Sequence, residues 1–289
     1  IEQQFRKKSM GVEERGRKAR LENGEVLFCL RTTETQLWSY LIWLKTPKLK
    51  GDKRYTDAVY FLAESLFQDG NGSAARIYFK RLVEAGSSRH LTPSILRLIE
   101  IAGSRAEFDE VGKAFEAYKK ASGGRIPPQV DYFYGKSLIH GGDYAAAIER
   151  LKRSAVEGPY RHQSTYATGV ALAALGKLKD AAEAFDSLLK FVPSTDAQKE
   201  IRELTHLARG RVYYEIGEIG ASIDAYQSID HRSKYFDEML FEITWAYVKS
   251  AEEKDDADEK NSQYKKAIRA VEILLASNPH SPVVPEAKV

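Results

Sequence analysis

The chain lacks most of the residues that build cross-linked or metal-held structures. Its 289 residues contain a single cysteine, Cys29, which excludes an internal disulfide and a multi-cysteine zinc site. The six histidines are scattered without the spacing of a metal-binding motif. No apolar run approaches the roughly eighteen residues that a membrane span requires. The sequence therefore predicts no metal, no cofactor and no transmembrane segment.

A strong excess of either charge is also missing. The formal net charge is +3, which is too close to neutral to indicate nucleic acid as a partner. The basic residues are denser near the N-terminus, where seven of them form one cluster: Arg6, Lys7, Lys8, Arg15, Arg17, Lys18 and Arg20. Peripheral membrane association, if it occurs, is expected to use this cluster. The alternative is a solvated helix, since acidic residues interrupt the cluster.

No group of side chains indicates catalysis. Gly135-Lys136-Ser137 matches the end of a phosphate-binding loop, but the glycine needed five positions earlier is Val130. The acidic stretch 252–260 lacks the glycine and the spaced terminal glutamate of a calcium loop, so it is predicted to be a solvated loop between helices. We therefore expect a non-enzymatic protein with no small-molecule substrate.

Small residues, in contrast, recur at a fixed period. Three positions repeat after thirty-four residues, pairing Gly135 with Gly169, Gly142 with Gly176 and Ala147 with Ala181. Both alanines are followed by a proline twelve residues later. A thirty-four-residue period of helix–turn–helix units is typical of stacked helical arrays. Such arrays expose an extended surface, which usually binds a partner.

The period divides most of the chain into helix pairs. The predicted units are 56–89, 92–125, 128–161, 162–195, 196–234 and 236–279, and a further repeat starts at 282–289. Residues 51–289 are thus predicted to form one repeat domain, and residues 1–50 a basic N-terminal helical hairpin that caps it. In the irregular second unit, Thr92 is predicted as the N-cap and Pro93 as the first helical residue.

This pattern resembles the tetratricopeptide repeat. The residues that carry the resemblance are Leu62, Ala63, Gly135, Ala147, Pro159, Gly169, Ala181, Phe185 and Pro193. The resemblance covers about residues 56–279 and implies an all-α, right-handed superhelical solenoid of antiparallel helix pairs. In that family the first helix of each pair lines a concave groove, and the ligands are peptides or partner proteins.

The resemblance also implies which residues face the groove. They lie three before, one after or one turn after the small residue of each first helix. These are Tyr60, Glu64, Phe67, Tyr132, Lys136, Ile139, Tyr166, Val170, Arg211, Tyr214 and Tyr247. Tyrosine combines a large contact area with a polar tip, which suits recognition. The alternative is that these tyrosines only pack between neighbouring helices.

Three hypotheses for function stay open at this point. The first is a scaffold that binds a protein or an apolar peptide segment in the groove. The second is a regulatory repeat module of a larger protein, whose enzymatic or nucleic-acid-binding domain lies outside these residues. The third is direct contact of the basic N-terminal cluster with nucleic acid or a membrane. The chain opens on Ile1, so we expect the native protein to extend further.

The last unit carries a narrower resemblance, to repeats of bacterial cell-envelope proteins. The residues concerned are Ala267, Ile268, Arg269, Ala270, Val271, Leu274, Ser277, Asn278, Pro279, His280, Ser281 and Pro282. This resemblance implies a role in a cell-envelope assembly or motility complex. It also implies a location in the periplasm or envelope of a Gram-negative bacterium, with the cytoplasm as the alternative.

Overall fold

The computed structural model describes residues 55–86 and 89–284, and these residues form twelve α-helices and no β-strand. The predicted hairpin at 1–50 and the residues 285–289 of the predicted further repeat lie outside the described residues. The chain divides into two compact units, Ile1–Ser137 and Leu138–Val289, which are described separately below.

The helices follow one another with short connections. The first unit contains α1 (Tyr55–Gln68), α2 (Gly72–Glu84), α3 (Leu91–Ser104) and α4 (Phe108–Ala121), and α5 (Pro128–His140) crosses the boundary. The second unit contains α6 (Tyr144–Ser154), α7 (Arg161–Ala174), α8 (Leu178–Leu189), α9 (Asp196–Ile216), α10 (Ile219–Gln227), α11 (Phe236–Glu252) and α12 (Ala257–Ser277). Each predicted repeat contains two of these helices, to within one residue at its start. The pairs α1–α2, α3–α4, α7–α8, α9–α10 and α11–α12 pack together.

Short polar side chains cap the start of several helices. The Asp143 side chain accepts a hydrogen bond from the Ala146 N–H at 3.1 Å and caps α6. Thr195 does the same for α9, accepting from the Gln198 N–H at 3.2 Å. Each cap satisfies one of the backbone donors that a helix start leaves without an intrahelical partner.

The predicted start of α3 is wrong by two residues. The helix begins at Leu91, and His90 occupies the N-cap position without a side-chain cap bond. Thr92 and Pro93 therefore lie inside the first turn. Proline is tolerated there because the first four N–H groups of a helix have no intrahelical partner.

The acidic stretch 252–260 is only in part the predicted loop, which spans residues 253–256 between α11 and α12. Helix α12 begins within the stretch at Ala257, and the Asp256 carboxylate accepts from the N–H groups of Asp258 at 3.0 Å and Glu259 at 2.8 Å. Negative side chains near a helix N-terminus are stabilised by the helix dipole. The acidic residues therefore start a helix.

Two helical glycines lie where the paired helices approach closely. A Cβ added to Gly169 of α7 would lie 2.7 Å from Cζ of Phe185 on α8. A Cβ added to Gly210 of α9 would lie 2.6 Å from Cζ of Tyr226 on α10. In both pairs the aromatic ring of the second helix fills the place of the missing side chain, which is the close-packed arrangement of protein interiors.

The α3–α4 turn contains a strained residue, which gives a testable prediction. Ala106 has a φ of 57°, whereas the equivalent positions of other turns hold glycine, namely Gly70, Gly142 and Gly176. The left-handed region costs a residue with a Cβ about 1–2 kcal/mol, and the greater freedom of unfolded glycine offsets part of this cost. Ala106→Gly should therefore raise the free energy of unfolding by about 0.5–1 kcal/mol in urea denaturation. Gly176→Ala is the matched control and should lower it; a stability loss with Ala106→Gly would contradict the strain.

Candidate protein-binding surface

Two predicted groove residues of the first unit surround one arginine. Glu64 of α1 is only 3% exposed and accepts two hydrogen bonds from Arg97 of α3, at 2.7 Å from Nε and 3.0 Å from Nη2. The Arg97 guanidinium also donates to Glu100 at 2.6 Å and lies 4.7 Å from the ring centroid of Phe67. Burial opposes the Arg97 charge, but Glu64 and Glu100 outweigh it and raise the pKa of Arg97. This buried charge network joins α1 to α3.

Tyr60 lies beside the same network. Its ring stacks on His90 at a centroid distance of 4.3 Å and meets Phe79 edge-on at 6.2 Å. Burial, reinforced by the negative charge of Glu64, raises the pKa of Tyr60 to about 12. The hydroxyl therefore stays neutral at physiological pH and can act as a hydrogen-bond donor.

Tyr132 and Lys136 form a local pair on α5. Tyr132 is 9% exposed and packs edge-on against Phe133 at 5.0 Å. The Lys136 ammonium lies 5.6 Å from the Tyr132 ring centroid, and burial lowers the pKa of Lys136. This is a cation–π arrangement, so the lysine covers the face of the tyrosine.

In the second unit, the first helices of consecutive repeats bring several predicted residues together. Arg211 of α9 donates to Glu242 of α11 from Nε at 3.0 Å and from Nη2 at 2.5 Å, and to Glu238 from Nη2 at 2.5 Å. Burial opposes the positive charge of Arg211, but the two carboxylates outweigh it and raise the pKa of Arg211. The guanidinium is therefore permanently charged and already paired.

The tyrosine of α7 belongs to the same neighbourhood. Tyr166 packs against Phe185 at a centroid distance of 5.9 Å. Burial raises the pKa of Tyr166, and the charge of the nearby Arg211 opposes the shift. Two further predicted groove residues, Ile139 and Val170, are half-buried and pack against the core of this part of the unit.

A small cleft lies beside Arg211. Its volume is ≈ 230 Å³, and it is lined by Arg211, Tyr214, Glu215, Tyr226, Glu242 and Trp245. Trp245 of α11 is 53% exposed. Sequence reasoning used Trp245 only as a repeat landmark and did not assign it to the groove. We refer to Tyr166, Arg211, Tyr214, Glu242 and Trp245 as the first-helix face.

Tyr247 lies elsewhere. It is 8% exposed, and its hydroxyl accepts a hydrogen bond from Gln227 of α10 at 2.8 Å. The Lys266 ammonium of α12 lies 5.8 Å from its ring centroid. Residues two positions apart on a helix point in different directions because one turn takes 3.6 residues. Trp245 is therefore beside Arg211, whereas Tyr247 contacts α10 and α12.

Two further findings concern the part of the chain that the structure describes. No group of histidine, cysteine, aspartate and glutamate there has an arrangement that could hold a metal ion. None of the helices there combines the length and the apolar composition needed to cross a bilayer.

Comparison with known proteins identifies the repeat. Residues 133–195 match the tetratricopeptide repeat family model, and no curated protein matches the chain in sequence. The solved structure of PilW, a type IV pilus biogenesis factor, is similar with a TM-score of 0.60 and 12% identity, over 82% of this chain and 100% of PilW. PilF of Pseudomonas aeruginosa is similar with a TM-score of 0.58 and 16% identity, over 83% of this chain and 99% of that chain.

A third solved structure extends the same likeness. YrrB, described as a TPR protein with an unusual peptide-binding site, has a TM-score of 0.50 and 15% identity, over 76% of this chain and 97% of YrrB. At such identities the likeness establishes the fold, and it confirms the predicted all-α tetratricopeptide architecture. This fold is typically a non-enzymatic scaffold for protein or peptide partners. Residues 133–195 therefore carry a tetratricopeptide repeat, and the described helices share the fold of solved tetratricopeptide-repeat structures.

Proposed function

We propose that the protein is an interaction scaffold that binds a partner protein or peptide on the first-helix face. The observation that carries the proposal is Trp245, which is 53% exposed beside a cleft that Arg211 and Tyr214 also line. Tryptophan, tyrosine and arginine are the residue types most enriched at the energetic centres of protein interfaces. A large aromatic ring left half in water has apolar surface to bury against a partner.

The charges of this face favour a particular kind of ligand. Arg211 is already bonded to Glu238 and Glu242, so its positive charge is neutralised before any ligand arrives. An anionic group, such as a C-terminal carboxylate, would have to displace one of these glutamates. An apolar helix or extended segment needs no such exchange, and we therefore propose that the ligand contributes apolar side chains to the cleft.

The predicted groove residues of the first unit support a recognition role less strongly. Glu64 and Tyr132 are 3% and 9% exposed, so they offer little surface to a ligand. Tyr60, Phe67 and Lys136 are half-buried and retain accessible surface. We propose that contacts in this unit supplement those of the first-helix face.

We also propose a place for the protein in a bacterial cell-envelope assembly or motility complex. The support is the fold shared with PilW and PilF over most of this chain, together with the envelope-type repeat sequence of the last unit. Fractionation of cells that express the full-length, tagged gene tests the location. We expect the protein in the periplasmic or membrane fraction, and an exclusively cytosolic protein would contradict the proposal.

Substitution of the exposed tryptophan tests the binding surface. Peptides are selected on the wild-type protein from a displayed random library, and their affinities are then measured for Trp245→Ala. We expect a loss of roughly thirtyfold, the effect of removing an interface residue worth about 2 kcal/mol. The melting temperature should change little, because substitutions of exposed residues usually alter stability by less than about 0.5 kcal/mol.

Val192→Ala provides the matched control, since Val192 is 86% exposed and lies outside the first-helix face. It should leave both affinity and melting temperature unchanged. If Trp245→Ala lowers the melting temperature but leaves the affinity of every selected peptide intact, Trp245 has a packing role and the proposed surface is wrong.

A further inference from the structure

The second unit contains another cleft, which shares no residue with the first-helix face. It has a volume of ≈ 480 Å³ and lies between α11, α12 and the end of α10. Its floor is apolar and comes from both long helices. The floor residues are Met239, Leu240 and Ile243 of α11, with Ala270 and Ile273 of α12.

The cleft exists because α10 is short. Helix α10 has 9 residues, compared with 12 in α8 and 21 in α12. Only its last residue, Gln227, lines the cleft, and the chain then leaves the helix. Met239, Leu240, Ile243 and Ala270 are 4–6% exposed and belong to the core, whereas Ile273 is half-buried, so a ligand would meet the apolar floor chiefly at Ile273.

The rim of the cleft is positively charged. Lys265, Lys266 and Arg269 of α12 line it, and no carboxylate is among the described residues that do so. Arg269 pairs with Glu272 at 3.2 Å, but both side chains are largely exposed, at 72% and 56%. Exposed ion pairs of this kind contribute little, so Arg269 can exchange its partner for a ligand carboxylate at small cost. We call this site the basic cleft.

The wall of the basic cleft is elongated. The lining residues of α12 run from Ser262 to Ile273. At a rise of 1.5 Å per residue this stretch is about 16 Å long, or three helical turns. An elongated segment matches such a wall better than a compact small molecule does.

We propose that the basic cleft binds an acidic amphipathic segment of a partner protein. Apolar side chains of that segment would cover the floor, and its aspartates or glutamates would face Lys265, Lys266 and Arg269. Charge complementarity selects the partner, since an interface aligns opposite potentials. Nucleic acid fits less well, because single strands are held by exposed aromatic rings on which bases stack, whereas Tyr247, the one aromatic residue among the described ones that line the cleft, is only 8% exposed. The proposal does not depend on the function proposed for the first-helix face.

Fluorescence anisotropy with defined probes tests the proposal on the full chain. The probe is a synthetic helix with leucines on one face and glutamates on the other. The comparison probes are its scrambled sequence, the same helix with lysine in place of glutamate, and a single-stranded oligonucleotide. We expect only the acidic amphipathic helix to bind, and its affinity to fall as salt is raised, because exposed charges are screened.

Charge reversal in the rim supplies the matched variants. Lys265→Glu combined with Arg269→Glu should weaken the acidic helix about tenfold. Lys249→Glu makes the same chemical change at an exposed residue of α11 outside the cleft and should have no effect. Trp245→Ala should also leave this affinity unchanged, which separates the basic cleft from the first-helix face.

A reporter at the cleft gives a second readout. A fluorophore on Ser262→Cys, in a Cys29→Ala background, should change its emission when the acidic helix binds. Equal binding of the scrambled helix, an affinity unaffected by the double reversal, or an unchanged reporter would each overturn the proposal. Tighter binding of the oligonucleotide would overturn it in favour of nucleic acid, and concentration-dependent self-association abolished by the reversal would make a second copy of the chain the occupant.

Discussion

Replacing Arg97 by methionine is expected to lower the free energy of unfolding by about 3–5 kcal/mol. Glu64 is 3% exposed, and its two hydrogen bonds to Arg97 provide the positive charge that makes this burial possible. Without Arg97, the carboxylate is left charged in a poorly hydrated site or must take up a proton. Either outcome destabilises the fold, and urea denaturation measures the loss.

The control for this prediction removes Arg97 together with Glu64. Glu64→Leu combined with Arg97→Met should recover part of the lost stability, because apolar residues of similar volume can replace a buried ion pair with little cost, although Glu100 still loses its Arg97 partner. The two single variants and the double variant form a thermodynamic cycle. If Arg97→Met alone barely changes the free energy of unfolding, the Glu64 carboxylate is hydrated in solution and is accessible to a ligand.

Gly169→Leu is expected to lower the free energy of unfolding by roughly 1–3 kcal/mol. Even a Cβ at this position would lie 2.7 Å from Cζ of Phe185, whose side chain is 1% exposed and has no room to move aside. The added side chain therefore forces α7 and α8 apart. Differential scanning calorimetry of the variant checks the loss of stability.

Gly112 provides the matched control for Gly169. It also lies within a helix, α4, but a Cβ there would have no atom within 4 Å. Gly112→Ala should therefore stabilise the protein by up to about 1 kcal/mol, because alanine favours the helix, whereas Gly169→Ala should destabilise it. If Gly112→Ala and Gly169→Ala change the free energy of unfolding in the same direction, the contact with Phe185 does not determine the effect at Gly169.

The helix pairs could be predicted from the sequence because the repeat makes each signal redundant. Glycine recurs at the same repeat position in Gly135, Gly169 and Gly210. The aromatic residues Phe185 and Tyr226 follow Gly169 and Gly210 at the same spacing. The left-handed turn residue recurs as well. A period of this kind depends on contacts between helices that are neighbours in the chain, so it is visible without knowledge of distant contacts.

Helix boundaries were predicted less well where capping signals compete. Thr92-Pro93 has the composition of a helix start, yet α3 begins at Leu91. The acidic stretch 252–260 has the composition of a loop, yet Asp256 caps α12, so that residues 257–260 form its first turn. In both places the boundary depends on whether a side chain caps the backbone, and composition does not reveal it.

The candidate site depended on longer-range contacts that spacing does not reveal. The positional rule assigned Tyr247 to the groove, but the ring packs beneath Lys266 and bonds to Gln227. It also assigned Glu64, whose partner Arg97 lies on a different repeat. The positional rule takes the residue after the small residue of each first helix, which in α11 is Tyr247, after Ala246. Trp245 comes before Ala246, so the rule did not select it, although it lines the cleft beside Arg211. The sequence offers one clue, which is charge, since Glu238 and Glu242 of the next repeat lie four residues apart and are opposite in charge to Arg211.

The bonds from Arg211 to Glu238 and Glu242 have a consequence for the kinetics and thermodynamics of recognition. They connect α9 directly to α11 through a bidentate contact to Glu242 and a further bond to Glu238. A preorganised wall loses little conformational entropy on complex formation, so a short ligand can reach useful affinity with few contacts. Association should then resemble the docking of a rigid body, with a rate set by diffusion and orientation rather than by a rearrangement of the helices.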